Sequence, residues 1–510
     1  MTCRSAGFLF GCPNWLGHSN WLGRPTLAWP SLTWQSCWYP GCLIGIITGI
    51  GIVPGADFSG PYWRLILPLR VSISGIRGVI GDGLDAVTVA RWAAAYGAWL
   101  PAGPVIVGRD SRPSGPMVFD AVAAALASTG HDIWDIGIAT TPTTEVAVQE
   151  SDAVGGIIIT ASHNPQQWNA LKFLQGNGLF LTAAQNREVR RFYEDGSGHV
   201  AFDGLGRVKE HPGADRQHLD AIAAVPWLDR ERIRARGLHA VVDAVEGAGG
   251  SIVPALLEML GVRCSPLFCG LSGHFPHDPE PTPVHLEALS AEVKAQEADI
   301  GFAVDPDVDR LALVTADGTA LSEEMTLALA ADFLLGKTPG SMAVNLSTTG
   351  LIEVVAARHG QKVHRTPVGE ANVVETILAE NCILGGEGNG GVIYPAVHAG
   401  RDALVGIAMI LQALAESGQS LAAMAAALPP VCMVKTKVAA EDLPEGTALE
   451  AVLKALGPGE LDRRDGLKWV GDGAWVHVRP SNTEPVVRII AEAQDEPSAV
   501  DLIERVKSVP

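Results

Sequence analysis

The chain is 510 residues long, and its composition is defined as much by what is scarce as by what is present. No apolar run reaches the ~18 to 20 residues of a membrane-spanning helix, so a membrane partner is not expected. Basic residues are few: 37 Lys and Arg against 56 Asp and Glu leave a net charge of −19. That argues against a nucleic-acid partner, which would need a basic stripe along the phosphates. A small phosphorylated ligand stays open, because one anion needs only a local positive pocket. Walker A spacing is absent, which argues against a nucleoside triphosphatase, and G-x-S-x-G is absent, which argues against an esterase. Charged residues make up only 18%, while 47% hydrophobic residues supply ample buried cores and exclude global disorder. At ~150 residues per domain, three or four domains are expected.

Residues 1–68 contain no Lys, no Glu and one acid, Asp57, yet hold six of the 13 Trp and four of the eight Cys. Cys3, Cys12, Cys37 and Cys42 lack the paired C-x₂-C spacing of a zinc site. The apolar stretch before Cys12 is too short for a signal peptide. This segment reads as sequence upstream of the native start, or as a disordered extension. The other cysteines, Cys264, Cys269, Cys382 and Cys432, are scattered, as in a reducing cytoplasm.

Beyond Val71 one grammar repeats at intervals of roughly a hundred residues: apolar strand, polar or Gly-rich loop, amphipathic helix, Gly, strand. It runs from PVIVGRDSRPSG, from HAVVDAVEGAGG and from MAVNLSTTG. Each unit favours a parallel sheet covered by helices. A helix with Val89, Trp92, Ala93, Tyr96 and Leu100 on one face is also predicted. Pro429 and Pro430 precede a shorter region with the strands WVHVRP and PVVRIIAEA.

Four motifs carry chemistry. TASHNP (160–165) follows the buried-strand pattern GGIIIT, placing Ser162 at the carboxyl edge of a parallel strand, where α/β sheets bind ligands. His163 beside it is badly placed as its base, and a polar turn is the plain alternative. Lys172, between Leu171 and Phe173, is either a solvated charge or a desolvated base. In IGFAVDPDVDR, Asp305, Asp307 and Asp309 stand at i, i+2 and i+4 and can converge on one hard cation. An EF-hand is excluded because Arg310 replaces its turn Gly and Ala316 its bidentate Glu. Arg310 can reach an anionic or hydroxyl-bearing ligand. GGEGNGG (385–391) offers Glu387 and Asn389 to sugar hydroxyls, weak evidence alone, with Arg401 a few residues on. RPSNTEPVVR presents Arg479, Ser481, Asn482, Thr483 and Arg488 as a phosphate cradle, or as a plain turn before a strand.

Together, in this order, the motifs resemble the α-D-phosphohexomutase family over residues 71–510. SISGIRG, with Arg77, resembles its opening segment and suggests a native start near Leu67 to Val71. The resemblance implies an α/β fold of three tandem similar α/β domains with mixed sheets and a smaller C-terminal α+β domain around a central cleft. The implied boundaries are 69–215, 216–318, 319–428 and 429–510. It implies that Ser162 is a phosphoserine and that Asp305, Asp307 and Asp309 hold one Mg²⁺ with its phosphate. It places Lys172 as general acid or base, and Arg77 and Arg310 as stabilisers of transferred charge, with His163 beside the nucleophile. Glu387, Asn389, His398 and Arg401 would bind sugar; Arg479, Ser481, Asn482, Thr483 and Arg488 would grip the phosphate that is not reacting. A sugar 1,6-bisphosphate is the implied activator, the partner a small phosphosugar, the place the cytoplasm, and the state a monomer or homodimer.

Two departures from the family pattern bear on substrate. The sugar loop reads Asn389–Gly390–Gly391 where Ser-Gly-His is usual, and the metal loop has Pro306 and Val308 where many members have Gly. Both variants resemble an archaeal-type branch associated with phosphoglucosamine mutase. His398 either replaces the missing His or is a surface residue. The expected reaction interconverts glucosamine 6-phosphate and glucosamine 1-phosphate. The rivals are phosphomannomutase or phosphoglucomutase activity, a non-catalytic phosphosugar-binding protein, and a metal-dependent phosphatase.

Overall fold

The computed structural model describes residues 69–508, apart from 197, 440–442, 444–445 and 481–485. The expectations for residues 1–68, and for Ser481, Asn482 and Thr483, lie outside the described residues.

The first sheet holds β1 (Arg70–Ser72), β2 (Gly75–Ile80), β3 (Gly83–Leu84), β4 (Val105–Arg109), β5 (Ile133–Ile138), β6 (Gly155–Ile159), β7 (Trp168–Gln175) and β8 (Val208–Glu210). Its order is β1-β2-β7-β6-β4-β5-β8, with β3 beside β2. The second holds β9 (His239–Asp243), β10 (Arg263–Leu267), β11 (Ile300–Val304) and β12 (Leu311–Thr315), ordered β10-β9-β11-β12. The third holds β13 (Met342–Asn345), β14 (Val363–Thr366), β15 (Leu384–Glu387), β16 (Gly391–Tyr394) and β17 (His398–Arg401), ordered β14-β13-β15-β16-β17. The fourth is antiparallel throughout: β18 (Cys432–Val438), β19 (Glu460–Asp462), β20 (Leu467–Val470), β21 (Trp475–Pro480) and β22 (Val487–Ala493), ordered β18-β22-β21-β20-β19.

The first three sheets share one arrangement that positions the site. A fully buried strand runs parallel to its neighbour, ends in a polar loop and returns as an antiparallel strand. β6 is parallel to β4 and returns as β7; β11 is parallel to β9 and returns as β12; β15 is parallel to β13 and returns as β16. The sheets are thus mixed rather than parallel as the repeated strand–loop–helix grammar alone suggested. The Ser162, Asp305–Asp309 and Gly-rich loops are the three turns of these hairpins.

Local chemistry explains where helices begin and stop. Ala86–Trp99 starts because the Asp85 carboxylate accepts the Thr88 N–H. It buries Val89, Trp92, Ala93 and Tyr96, the expected face. Leu100 follows the last turn in extended conformation, caps it, and is buried in the same core as that face. Second- and third-sheet residues share one apolar core that runs through the helices Glu324–Leu335 and Ala403–Ser417, while the first and fourth sheets have cores of their own.

The fourth sheet meets the third through polar contacts. Lys468 Nζ donates to Leu346 O at 2.6 Å and lies 4.0 Å from the Trp475 ring centre. His477 Nδ1 is 2.9 Å from Ser347 Oγ, and its Nε2 is 2.6 Å from Asp465 O. Glu492 Oε1 accepts from Gly350 N and Trp475 Nε1, and Asp465 Oδ2 accepts from Val368 N. Burial pushes His477 down to about 4 from 6.5. Burial, reinforced by Arg365, pushes Lys468 down to about 7 from 10.5. Both groups bind protons more weakly when folded, so each adds a stabilising slope as pH rises through its own window. For His477 that window is pH 4 to 6.5. His477→Gln should therefore show a shallower rise of unfolding free energy over pH 4 to 6.5, the slope falling by the equivalent of up to about one proton. Equal slopes in the two proteins would contradict this reading.

Candidate active site

Buried Thr160 and Ala161 follow strand β6, and Ser162 comes next with φ +51°, a left-handed conformation uncommon outside glycine. That turn points the hydroxyl across to the second sheet. Ser162 is 3% exposed, and its Oγ donates to Asp305 Oδ2 at 2.7 Å. His163 Nδ1 lies 3.4 Å from the same Oγ, long for such a bond. Burial, with Arg310 and Arg77 nearby, holds His163 well below its ordinary pKa. Arg77, on β2, donates to Asn164 Oδ1 at 2.6 Å, and burial pulls it down to about 10.

The loop between β11 and β12 brings Asp305, Asp307 and Asp309 together, all fully buried, each offering a carboxylate oxygen within 4.8 Å of the others. Asp305 Oδ1 accepts the backbone N–H of Asp309 and of Arg310. Asp307 Oδ2 accepts from Lys172 Nζ at 2.7 Å and Thr141 Oγ1 at 2.6 Å. Asp309 Oδ2 accepts from Arg401 Nη2 at 2.7 Å. The Oδ1 atoms of Asp307 and Asp309 are buried without a hydrogen-bond partner. Two orphaned oxygens in an all-carboxylate set fit a hard divalent cation.

Charge divides this group. Burial, then Asp309 and Asp307, push Asp305 well above the carboxylate range. Burial opposes ionisation of Asp307 too, but Lys172 and its hydrogen bonds win and hold it well below. Lys172 differs from its expected behaviour. Its apolar flanks suggested a lowered pKa, yet the attraction of Asp307 and Asp309 outweighs burial and raises it. Arg310 bonds Glu280 at 2.9 Å and lies 3.8 Å from Asp309.

The third sheet closes this side of the group. Arg401 reaches Asp309, Glu370 at 3.2 Å and Glu387 at 3.3 Å. Glu387 also accepts from Asn345 Nδ2 and Gly369 N. Asn389 turns inward, its Oδ1 accepting Gly391 N. A Cβ at Gly388 would sit 2.1 Å from the Glu324 carboxylate, so a side chain there would displace Glu324. His398 is not a surface residue: it is 2% exposed, with Nδ1 2.9 Å from Gln149 Oε1 and Nε2 3.2 Å from Glu145. Burial lowers it to about 4 and raises Glu145. On the fourth sheet, Arg479 and Arg488 stand opposite each other on β21 and β22, and Arg479 Nε bonds Asp465.

Ser162, the three Asp, Lys172, Arg310, Arg401 and Glu387 thus form one contiguous network, joined through Asn164 by Arg77. Sequence reasoning missed Thr141, Glu280, Glu370 and Arg112. Thr141 and Glu370 open helices whose facing partners lie far along the chain, and no local pattern marks them. Arg112 did carry a signal, an Arg beside Asp110 in a loop after a buried strand.

Four family signatures cover this unit: phosphoglucomutase/phosphomannomutase alpha/beta/alpha domain I over 70–198, domain II over 216–318, domain III over 322–432 and the C-terminal domain over 433–509. The chain is 35% identical over 433 residues to a Methanopyrus kandleri protein named "Probable phosphoglucosamine mutase", covering 84% of this chain and 95% of that one. It is 35% identical over 439 residues to "Phosphoglucomutase/phosphomannomutase" of Thermococcus kodakarensis, covering 84% and 96%. A crystal structure of a phosphoglucomutase/phosphomannomutase family protein from Burkholderia thailandensis superposes with a TM-score of 0.74 at 27% identity, covering 85% and 96%. Fold and site together define an enzyme of the phosphohexomutase class. The chain belongs to the phosphoglucomutase/phosphomannomutase family. No helix among the described residues is long and apolar enough to cross a membrane.

The departure at Val308 has a physical account. Its φ is +63°, where glycine is free and a β-branched residue is strained by about 1–2 kcal/mol. The side chain is fully buried in the shared core, and that burial offsets the strain by about 1.5–3 kcal/mol. Val308→Ala keeps the strain and loses contacts; Val308→Gly loses both. Chemical denaturation should therefore find Val308→Gly at least as stable as Val308→Ala, despite the larger truncation. A glycine variant less stable by more than about 1 kcal/mol would remove the strain account.

Proposed function

We propose that this enzyme moves a phosphoryl group between the 6- and 1-positions of a hexose phosphate through a phosphoserine at Ser162 and a bisphosphorylated sugar. The observation that carries the reading is the Ser162 hydroxyl 2.7 Å from Asp305 in a carboxylate cluster with two orphaned oxygens. In each transfer the P–O bond to one oxygen breaks as a bond to another forms. Phosphate leaves Ser162 for a sugar hydroxyl, the bisphosphate turns over, and its other phosphate returns to Ser162. Lys172, whose ammonium form Asp307 and Asp309 favour, would give a proton to the departing oxygen and take one back from the attacking hydroxyl. Arg77, Arg310 and the neighbouring His163 face the charge in transfer. One Mg²⁺ held by Asp305, Asp307 and Asp309 with the phosphoserine would polarise the phosphoryl group and neutralise its oxygens. Glu387, Asn389 and Arg401 would orient the sugar, and His398, buried against Glu145 and Gln149, would brace the strand that carries Arg401. Arg479, Ser481, Asn482, Thr483 and Arg488 would hold the second phosphate at either sugar orientation. Functional domains of 69–215, 216–318, 319–428 and 429–510, activation by a sugar 1,6-bisphosphate and a cytoplasmic site belong to the same proposal.

The substrate we favour is glucosamine phosphate, supported by the Asn389–Gly390–Gly391 loop and by relatives named phosphoglucosamine mutase. Broad phosphomannomutase/phosphoglucomutase activity is the second reading, favoured by the equally similar Thermococcus relative of that name. The full chain should be assayed on glucosamine, glucose and mannose phosphates, with Mg²⁺ and a bisphosphate primer, while released inorganic phosphate is measured. The expected result is conserved phosphate ester, highest kcat/KM on glucosamine phosphate, and a loss above about a thousandfold in folded Ser162→Ala. Stoichiometric phosphate release, or undiminished Ser162→Ala turnover, would overturn the mechanism. Equal rates on all three sugars would replace the substrate.

A further inference from the structure

Ser162 occupies a backbone conformation that few non-glycine residues adopt, and something must hold it there. The holding group is one side chain that touches neither the carboxylate cluster nor the sugar loop. The Arg112 guanidinium is 1% exposed and sits inside the curve of the serine loop. Its Nη2 donates to Ser162 O and Asn164 O, both at 2.6 Å. Its Nη1 donates to Pro165 O at 2.7 Å and Trp168 O at 3.1 Å. Its Nε donates to Asp110 Oδ2 at 2.9 Å. A guanidinium has five N–H donors in a fixed plane, and here each has an acceptor: four carbonyls of one loop and one carboxylate.

Asp110 completes the brace from the other side. Its Oδ1 accepts Arg112 N, and its Oδ2 also accepts Thr160 Oγ1 at 2.7 Å. Thr160 Oγ1 in turn accepts Ser162 N at 2.9 Å. Both the amide and the carbonyl of Ser162 are therefore fixed through the same Asp110–Arg112 pair. Phe275, of the second-sheet region, lies 4.9 Å from the guanidinium.

We infer that Arg112, backed by Asp110 and Thr160, is a positioning residue that holds the Ser162 hydroxyl in line with the phosphoryl-transfer cluster. This inference rests on the reading of Ser162 as the phosphorylated residue. Without the brace, four carbonyls lose their donor and Ser162 relaxes out of the left-handed region. The hydroxyl then moves off its 2.7 Å contact with Asp305. A lysine keeps the charge but supplies three donors from one point, so it cannot span four carbonyls. Such a shift slows transfer without weakening the grip on phosphosugar, which other residues provide.

The full-length native enzyme, Arg112→Lys, Thr160→Val and Thr160→Ser are compared by circular dichroism, steady-state kinetics and peptide mass mapping of bound phosphate. Native protein should carry phosphate on Ser162. Arg112→Lys should fold, lose about 100-fold in kcat and keep KM within about threefold. A kcat within about threefold of native, or a loss confined to KM, overturns the inference. Should Arg112→Lys fail to fold, the Thr160 pair decides. Thr160→Val should lose at least about tenfold in kcat, and Thr160→Ser, which keeps the hydroxyl, should recover most of it; equal kcat in the two variants overturns the inference. Phosphate mapped to a residue other than Ser162 instead refutes the phosphoserine reading itself.

Discussion

Three carboxylates packed within 4.8 Å of one another, out of reach of solvent, constrain the whole site. Like charges so close raise each other's pKa and cannot all ionise without compensation. The protein supplies part of it from three directions: Lys172 from the first sheet, Arg310 from the loop itself, and Arg401 from the third sheet. The two arginines are themselves shared with Glu280, Glu370 and Glu387, so the network stays short of positive charge. A phosphate on Ser162 would add about −1.5 to −2 more. A divalent cation at the two orphaned oxygens would offset part of that negative charge, and on the proposed mechanism the metal and the phosphoryl group belong to one account.

The fold meets this constraint by repetition. Three hairpins, each a buried parallel strand returning antiparallel, deliver the serine, carboxylate and Gly-rich loops. The second and third sheets share a core, which ties the carboxylate loop to the sheet carrying Arg401. Two of those turns carry a non-glycine residue in the left-handed region, Ser162 and Val308. One is held by a hydrogen-bonded guanidinium, the other by burial.

Much of this was legible in the residues. Aspartates at i, i+2 and i+4 after an apolar strand point to one cation whatever the fold, and a serine after GGIIIT points to a strand's carboxyl edge. The return strands were not legible, because apolar runs such as LALVT and GVIY look alike in parallel and antiparallel pairing. Partners far apart in sequence were hidden for the same reason: nothing near Arg401 says that it will meet Asp309. Lys172 shows the limit of local context most sharply. Its neighbours Leu171 and Phe173 suggested a weakened ammonium, whereas Asp307, 135 residues away, strengthens it. His398 looked equally suited to surface or loop, and tertiary packing against Glu145 and Gln149 decided its burial.

The account turns on the carboxylate cluster holding a divalent cation, and a Mn²⁺ titration followed by electron paramagnetic resonance tests it without relying on turnover. The full chain should bind one Mn²⁺, and Asp307→Asn should weaken that binding by more than about tenfold while retaining the native circular dichroism spectrum. Unchanged Mn²⁺ affinity in a folded Asp307→Asn protein, or no binding by the native chain, would contradict it.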